Sequence, residues 1–381
     1  MPHIKQLYIF LTMFLTVFFG CLNADQVEWN TLPGVTTSTT ASSTGTTCNG
    51  PSPTSIVITG GNNQSGMWST DLSTKLQVQV TGSGGTGSCG VTVTWAIDAG
   101  VGSLANTTST TNADGNASVN YTYGPTSGTV SISAAVTGLT AASFTLEAIP
   151  NRTVLWLKAD VGVTLDGSNL VNTWTDQSTV LYSVGQTDAA RRPSINNSAI
   201  NGKPAIVFAA NATAKLLTIG TGFSDFSNGY TVFIVARPDQ SATAATILRL
   251  DKAGSSNFLS FETGSTTNLS FQDYRTPTGG NGISTTASSI TVSTFQLFGV
   301  TFDIPGAGTA NVFRNGISLN SGAFSILPSV ISRDLNTIAA SNGSGAAPFV
   351  GAIAEIILYD KILNATDRVD TQGYLNRKYA L

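Results

Sequence analysis

Histidine is almost absent from this 381-residue sequence, and so are most of the groups that do chemistry. The one histidine, His3, lies in a stretch that reads as a removable leader, which leaves no imidazole for a triad, a proton shuttle or a histidine-based metal site. Glutamate occurs only at Glu28, Glu147, Glu262 and Glu355, so a paired-carboxylate hydrolase would have to recruit aspartates. Charged residues make up 10% of the chain and the formal net charge is −3, without basic clusters; nothing here forms the electrostatic footprint of a nucleic-acid groove. The sequence is instead rich in short period-two runs, separated by Gly, Asn, Ser and Thr, a balance that suits many strands joined by polar turns. At this length two domains with proper cores are expected after a leader.

The beginning of the chain sets its expected location. Met1 to Gln6 carries one lysine, Lys5, and the apolar run from Leu7 to Phe19 is shorter than the ~20 residues of a spanning helix. Charge followed by a short apolar run is the order of a secretory signal. Gly20-Cys21 directly after it resembles a bacterial lipobox, which implies lipidation of Cys21 and anchoring to a membrane of the cell envelope, at the bacterial surface. Ordinary cleavage after Ala24 is the alternative, and lipidation is favoured because the apolar run stops where a lipobox would place it. Residues 1–20 are then the signal peptide. Two cysteines are left, Cys48 and Cys89, and in an exported chain these are expected to form a disulfide. Residues 21–51, dominated by Thr, Ser and Gly, read as a tether.

From residue 52 to 149 six alternating runs follow one another: Ile56–Ile58, Leu76–Val80, Val91–Ile97, Ala117–Tyr121, Val130–Val136 and Phe144–Leu146. They predict a β-sandwich. The segments Leu76-Gln-Val-Gln-Val80, Val91-Thr-Val-Thr-Trp95, Thr111-Asn-Ala-Asp-Gly-Asn-Ala117 and Gly128-Thr-Val-Ser-Ile-Ser-Ala134 resemble bacterial immunoglobulin-like domains of the invasin and intimin type. That resemblance implies a spacer or adhesion module. Asp114-Gly115 reads as a turn that needs positive φ rather than as a ligand loop.

Residues 150–381 carry denser apolar runs, ten of them from Val154–Leu157 to Val350–Tyr359, which suit a larger two-sheet jelly roll. Asn201-Gly202 and Asn315-Gly316 are two-residue hairpin signals. Val350 to Tyr359 is apolar on both alternating sets, Ala352, Ala354, Ile356 and Leu358 against Ile353, Ile357 and Tyr359, and so predicts a strand buried on both faces. After it comes a helix signal: Asn364 as cap, Asp367 three residues on, and Leu375 with Tyr379 on one face.

Leu155-Trp-Leu-Lys-Ala-Asp160, Trp174-Thr-Asp-Gln-Ser178, Arg192-Pro-Ser194, Asn201-Gly-Lys-Pro-Ala-Ile-Val-Phe208, Val312-Phe-Arg-Asn-Gly316, Ile353-Ala-Glu-Ile-Ile-Leu-Tyr359 and Tyr374-Leu-Asn-Arg-Lys-Tyr379 occur in this order. Together they resemble the concanavalin A-like lectin/glucanase superfamily in its laminin G-like branch. The fold class expected is therefore all-β: an immunoglobulin-like β-sandwich followed by a concanavalin A-like jelly-roll β-sandwich with one C-terminal helix.

The superfamily includes lectins, protein-binding modules and glycosidases, so residues must choose among them. Its glucanases carry two glutamates flanking an aspartate on one strand, and no Glu-x-Asp-x-Glu occurs here. Glu355, set in an apolar strand, is the tempting carboxylate, but it has no partner glutamate and reads as a hydrogen-bonded structural residue, so no catalytic residue is assigned. Asp160, Asp166 and Asp176 offer oxygen ligands for calcium but follow no known cation-loop spacing; calcium is left unsupported and no metal site is assigned. Trp156, Trp174, Phe223 and Tyr274 are candidates for a sugar-stacking face, with core packing as the plainer reading, and Arg191-Arg192 reads as an exposed pair. The expected function is adhesion at the bacterial surface, by binding carbohydrate or extracellular-matrix protein through the laminin G-like domain. A glycan-active hydrolase and a structural envelope protein are the competing readings.

Overall fold

The computed structural model describes residues 48, 50–240, 244–254, 258–264, 268–275, 279–286, 289–303, 308–324 and 330–381. The leader, Cys21 and most of the tether lie outside the described residues. Cys48 and Cys89 are joined as a disulfide with their Cα atoms 5.3 Å apart, so the end of the tether is stapled to the first sandwich.

Every alternating run of the first domain forms strand, because small and β-branched residues at period two bury one face and solvate the other. Two main sheets result. One holds Pro53–Gly60, Leu76–Gly82 and Asn116–Val119; the other holds Ser65–Met67, Ala142–Ile149, Gly128–Ala135, Thr92–Ala99 and Thr108–Thr110, each in that spatial order. Leu76, Val78, Val80, Val93, Trp95, Ile132, Phe144 and Leu146 fill the space between them. One departure from the sequence reading matters later. Ala117 to Tyr121 is not one strand: the chain leaves the first sheet at Val119, and Tyr121–Tyr123 pairs instead with Gly102–Leu104. Asp114-Gly115 is a turn, with Gly115 at φ 77° and a Cβ there only 2.2 Å from the Val80 carbonyl oxygen.

The second domain is a sandwich of an eight-stranded and a nine-stranded sheet, and its named strands all pair antiparallel. The eight-stranded sheet runs Ser194–Ile200, Lys203–Phe208, Gly351–Tyr359, Tyr230–Pro238, Gln296–Asp303, Thr309–Arg314 and Ile317–Ala323, with Thr153–Lys158 also paired to Gly351–Tyr359. Both Asn-Gly hairpins form with positive φ at each turn residue, 46° and 69° at Asn201-Gly202, 48° and 81° at Asn315-Gly316. In the nine-stranded sheet Val163–Leu165, Leu217–Ile219 and Asn336–Ile338 are strands of three residues. Such short segments cannot show a period, which is why periodicity alone passes over them.

Gly351–Tyr359 is buried along its whole length, as expected, but not in simple alternation. Val235 pairs with Glu355 and Ala236 with Ile353, so Ala354 is the extra residue of a bulge. The phase of the strand therefore shifts: Ile353, Ile356 and Leu358 enter the core between the sheets, whereas Ala352, Ala354, Ile357 and Tyr359 face outward. What covers the outward set is the helix Ala365–Tyr379. Asn364 caps it by accepting from the Asp367 N–H at 2.8 Å, and Leu375 and Tyr379 are buried against the sheet as their spacing predicts.

The helix does more than close the jelly roll. Met67 and Ile149 of the first sandwich enter the same apolar cluster as Trp156, Ile357, Tyr374, Leu375 and Tyr379, and Arg377 donates two hydrogen bonds to Glu147, at 2.8 and 2.7 Å. The first sandwich is thus docked on the second through the helix. Arg377 is half exposed, at 51%, so this ion pair supplies orientation more than stability. Arg377→Ala is expected to lower the unfolding free energy by only about 0.5–1 kcal/mol in urea titration.

Candidate functional site

The docking of the two sandwiches leaves a cleft of about 670 Å³ between them, and its walls come from distant parts of the chain. The first sandwich contributes the loop and strand around Asn63 to Met67, together with Tyr123 and Glu147; the second contributes Trp156, Lys158, Asp160, Gln177, Asn201 and Lys203; the helix adds Tyr374, Arg377 and Lys378. Lys158 enters because it stands two residues from Trp156 on the same face of Thr153–Lys158. Tyr123 enters because the chain changes sheets at Asn120, and Gly66 permits its approach: a Cβ there would sit 2.2 Å from the Tyr123 ring.

Glu355 lies directly behind this cleft and is fully buried. Its Oε1 accepts from Trp156 Nε1 at 2.7 Å and from the Tyr374 hydroxyl at 2.8 Å; its Oε2 accepts from Lys378 Nζ and the Tyr379 hydroxyl, both at 2.8 Å. All four lone-pair directions are occupied, so Glu355 is the anchor that ties the helix to the sheet. Burial alone would lower the Lys378 ammonium, but Glu355, Tyr379 and Asp160 hold it well above the ordinary lysine range. Asp160 completes the group by accepting from Lys378 at 2.9 Å. Burial opposes ionisation of Asp160, and Lys378 outweighs it, so this carboxyl lies below its ordinary value.

Lys158 is different. It is only 7% exposed, its ammonium makes one hydrogen bond among the described residues, a long one of 3.4 Å to Ser65 Oγ, and it lies 4.2 Å from the centre of the Trp156 ring. Burial holds it below the usual lysine value; Glu355 opposes that shift and Lys378 adds to it. The Tyr123 hydroxyl is also buried, and it has no hydrogen-bond partner among the described residues. Burial pushes its ionisation far up, with Tyr121 and Glu147 adding, so it is a neutral donor across the physiological range.

The other sequence candidates fall into structural roles. Asp176 accepts from the backbone N–H groups of Trp156, Ser178 and Tyr182 and from Ser178 Oγ; Asp166 receives Arg192 at 2.8 Å and two backbone N–H groups. With Asp160 on Lys378, the three aspartates serve three separate structural purposes, and among the described residues no group of three His, Cys, Asp or Glu is placed to hold a metal. Trp174 is fully buried and donates to the Lys158 carbonyl, and Phe223 stacks on Tyr182 with ring centres 4.1 Å apart. Neither presents a free ring face. Trp156 lines the cleft, and the Tyr274 side chain lies outside the described residues. Arg191 and Arg192 are not a free pair, since Arg191 reaches the Ser344 carbonyl and Arg192 binds Asp166 and the carbonyls of Gln186 and Thr187.

Sequence reasoning missed Lys158, Tyr123 and Lys203. A signal for the first existed: a lone lysine in Leu155-Trp-Leu-Lys, on the face of Trp156, is a charge committed to burial. No local signal marks Tyr123, which reads as core.

Residues 209–367 match the family model of the concanavalin A-like lectin/glucanases superfamily, laminin G type. The match lies within the second sandwich and covers less than half of the chain; the first sandwich lies outside it, and its immunoglobulin-like character stands as an expectation. No curated protein matches the sequence. Among solved structures, the CBM40 of the Ruminococcus gnavus IT-sialidase bound to alpha2,3 sialyllactose is 13% identical, with a TM-score of 0.34, over 40% of this chain and 93% of that one. Domain 4 of AbnA, a GH43 extracellular arabinanase from Geobacillus stearothermophilus, in complex with arabinotriose, is 15% identical, with a TM-score of 0.43, over 57% of this chain and 98% of that one. The binding domain of Paraclostridial Mosquitocidal Protein 1 is 10% identical, with a TM-score of 0.44, over 58% and 52%.

Proposed function

We propose that this protein is a non-catalytic carbohydrate-binding protein of the bacterial cell surface, held to the envelope by a lipid on Cys21, and that its saccharide sits in the cleft between the two sandwiches. The observation that carries the reading is a cleft of about 670 Å³ lined by Tyr123, whose buried hydroxyl has no hydrogen-bond partner among the described residues. Leaving such a group unsatisfied costs ~1–3 kcal/mol, a cost that a ligand hydroxyl or ring oxygen removes. Asn63, Gln177 and Asn201 add amides to the cleft lining, and a concave cleft of this size with both aromatic and polar walls suits a saccharide of a few residues better than the flat surface of a matrix protein. The laminin G-like match supports the same class of ligand. Against a hydrolase stands the occupation of Glu355, whose two oxygens each accept two hydrogen bonds from the fold.

Glycan arrays with the full chain test the reading, followed by titration of Tyr123→Phe, which removes only the hydroxyl and breaks no hydrogen bond among the described residues. Saccharide binding weakened about fivefold or more in the variant is the expected result. No glycan bound, or Tyr123→Phe binding like wild type, overturns it. Released product that disappears in Glu355→Gln would show a hydrolase instead, and an unmodified mature N-terminus by mass spectrometry would refute the lipid anchor.

A further inference from the structure

The cleft is lined by four cations, Lys158, Lys203, Arg377 and Lys378, and three carboxylates, Asp71, Glu147 and Asp160. The pairing among them is uneven. Arg377 is bound to Glu147, and Lys378 to Asp160 and Glu355, whereas Lys158 and Lys203 have no carboxylate within ion-pair distance among the described residues. Asp71, the remaining anion, accepts from the Thr122 hydroxyl.

Lys158 is the telling member. A buried ammonium has three donors to satisfy, and a 3.4 Å contact to one hydroxyl and the face of Trp156 leave it poorly compensated. Its neighbour across the sheet, Glu355, is committed to the helix. A fold that needed only packing here would use an apolar side chain of similar length, as the surrounding strand does. Lys203 stands nearby for a topological reason. Lys158 is paired with Glu355 and Ile206 with Ile353, so the strands Thr153–Lys158 and Lys203–Phe208 meet where the closing strand bulges, and both lysines line the cleft at that seam. Tyr123 lines the opposite wall, and its hydroxyl is a neutral donor without a partner among the described residues.

Resting on the carbohydrate reading above, we infer that the cleft selects an acidic saccharide, whose carboxylate or sulfate group is received by Lys158 and Lys203 with the Tyr123 hydroxyl donating to the same sugar residue. The anion supplies the charge partner that the fold withholds from Lys158. Of the three cleft carboxylates, Glu147 and Asp160 are already paired with Arg377 and Lys378, which leaves Asp71 as the one opposing charge outside an ion pair among the described residues.

The test is calorimetric titration of the full chain with three probes of equal length: a hexuronic acid oligosaccharide, a sulfated oligosaccharide and their neutral counterpart. At least one acidic probe is expected to bind about tenfold or more tightly than the neutral one, with affinity falling as salt rises. Lys158→Met should remove that preference while leaving the thermal midpoint unchanged or higher, and Lys203→Gln should reduce it about threefold. The two acidic probes separate a carboxylate from a sulfate ligand. Equal binding of acidic and neutral probes overturns the selectivity and leaves the carbohydrate reading standing, while a chain that binds no saccharide overturns both. Should Lys158→Met melt below wild type, Lys203→Gln and the salt dependence of the wild-type chain decide the matter.

Discussion

Glu355→Gln is expected to cost about 3–5 kcal/mol of unfolding free energy, the range for a buried ion pair that loses one member. The carboxylate is fully buried and receives Trp156, Tyr374, Lys378 and Tyr379 at 2.7 to 2.8 Å. Glutamine keeps the shape and one carbonyl acceptor, but its NH2 group then faces the Lys378 ammonium or a tyrosine hydroxyl where an acceptor is needed. Lys378 retains only Asp160 as a carboxylate partner. Tyr374→Phe and Tyr379→Phe, each deleting one donor, should cost about 1 kcal/mol. The sign of the pH dependence follows from Lys378. Its pKa is raised by folding, so its stabilisation is complete below the unfolded value of ~10.4 and is lost only as pH rises through the folded value. The gap between wild type and Glu355→Gln in denaturant titration should therefore be flat from about pH 6 to 9. A loss below about 1 kcal/mol would show that the helix is held by its apolar face alone.

The second large effect is expected at Asp176. This carboxylate is 1% exposed and satisfies three backbone N–H groups and one hydroxyl, so Asp176→Ala strands several buried donors and should cost about 3 kcal/mol or more. Asp176→Asn should fall between, since one oxygen still accepts from Trp156 and Ser178 while the new amide opposes the Tyr182 N–H. Because every oxygen of Asp176 is spoken for, a chelator is expected to leave the melting midpoint unchanged. A midpoint that rises on adding calcium, and does so no longer in Asp176→Asn, would restore the aspartate as a cation ligand, and Asp176→Ala indistinguishable from wild type would overturn its structural role.

Both residues show how far the sequence could be read. Asp176 stands in Trp174-Thr-Asp-Gln-Ser178, a polar stretch in which a turn aspartate and a metal ligand look alike. Two of its donors, Ser178 and Tyr182, are local, but the third, the Trp156 backbone, is 20 residues away, and only the fold shows it buried. Glu355 was legible as an oddity, a charge in an apolar strand. Strict alternation put it with Ile353 and Ile357, whereas the bulge at Ala354 sends Ile353 into the sandwich core and turns Ile357 outward toward the helix.

What the sequence determined by itself is what local physics dictates. Period-two runs became strands, Asn-Gly pairs became hairpins with positive φ, and Asn364 capped the helix, because each depends on sterics and hydrogen bonds within a few residues. The tertiary structure alone decided the cleft. Ser65 meets Tyr374 across 309 positions and Glu147 meets Arg377 across 230, and no period or motif encodes such a meeting. The cost or value of a polar group there depends on what surrounds it, so Lys158 and Tyr123 acquire their meaning only once the two sandwiches close around them.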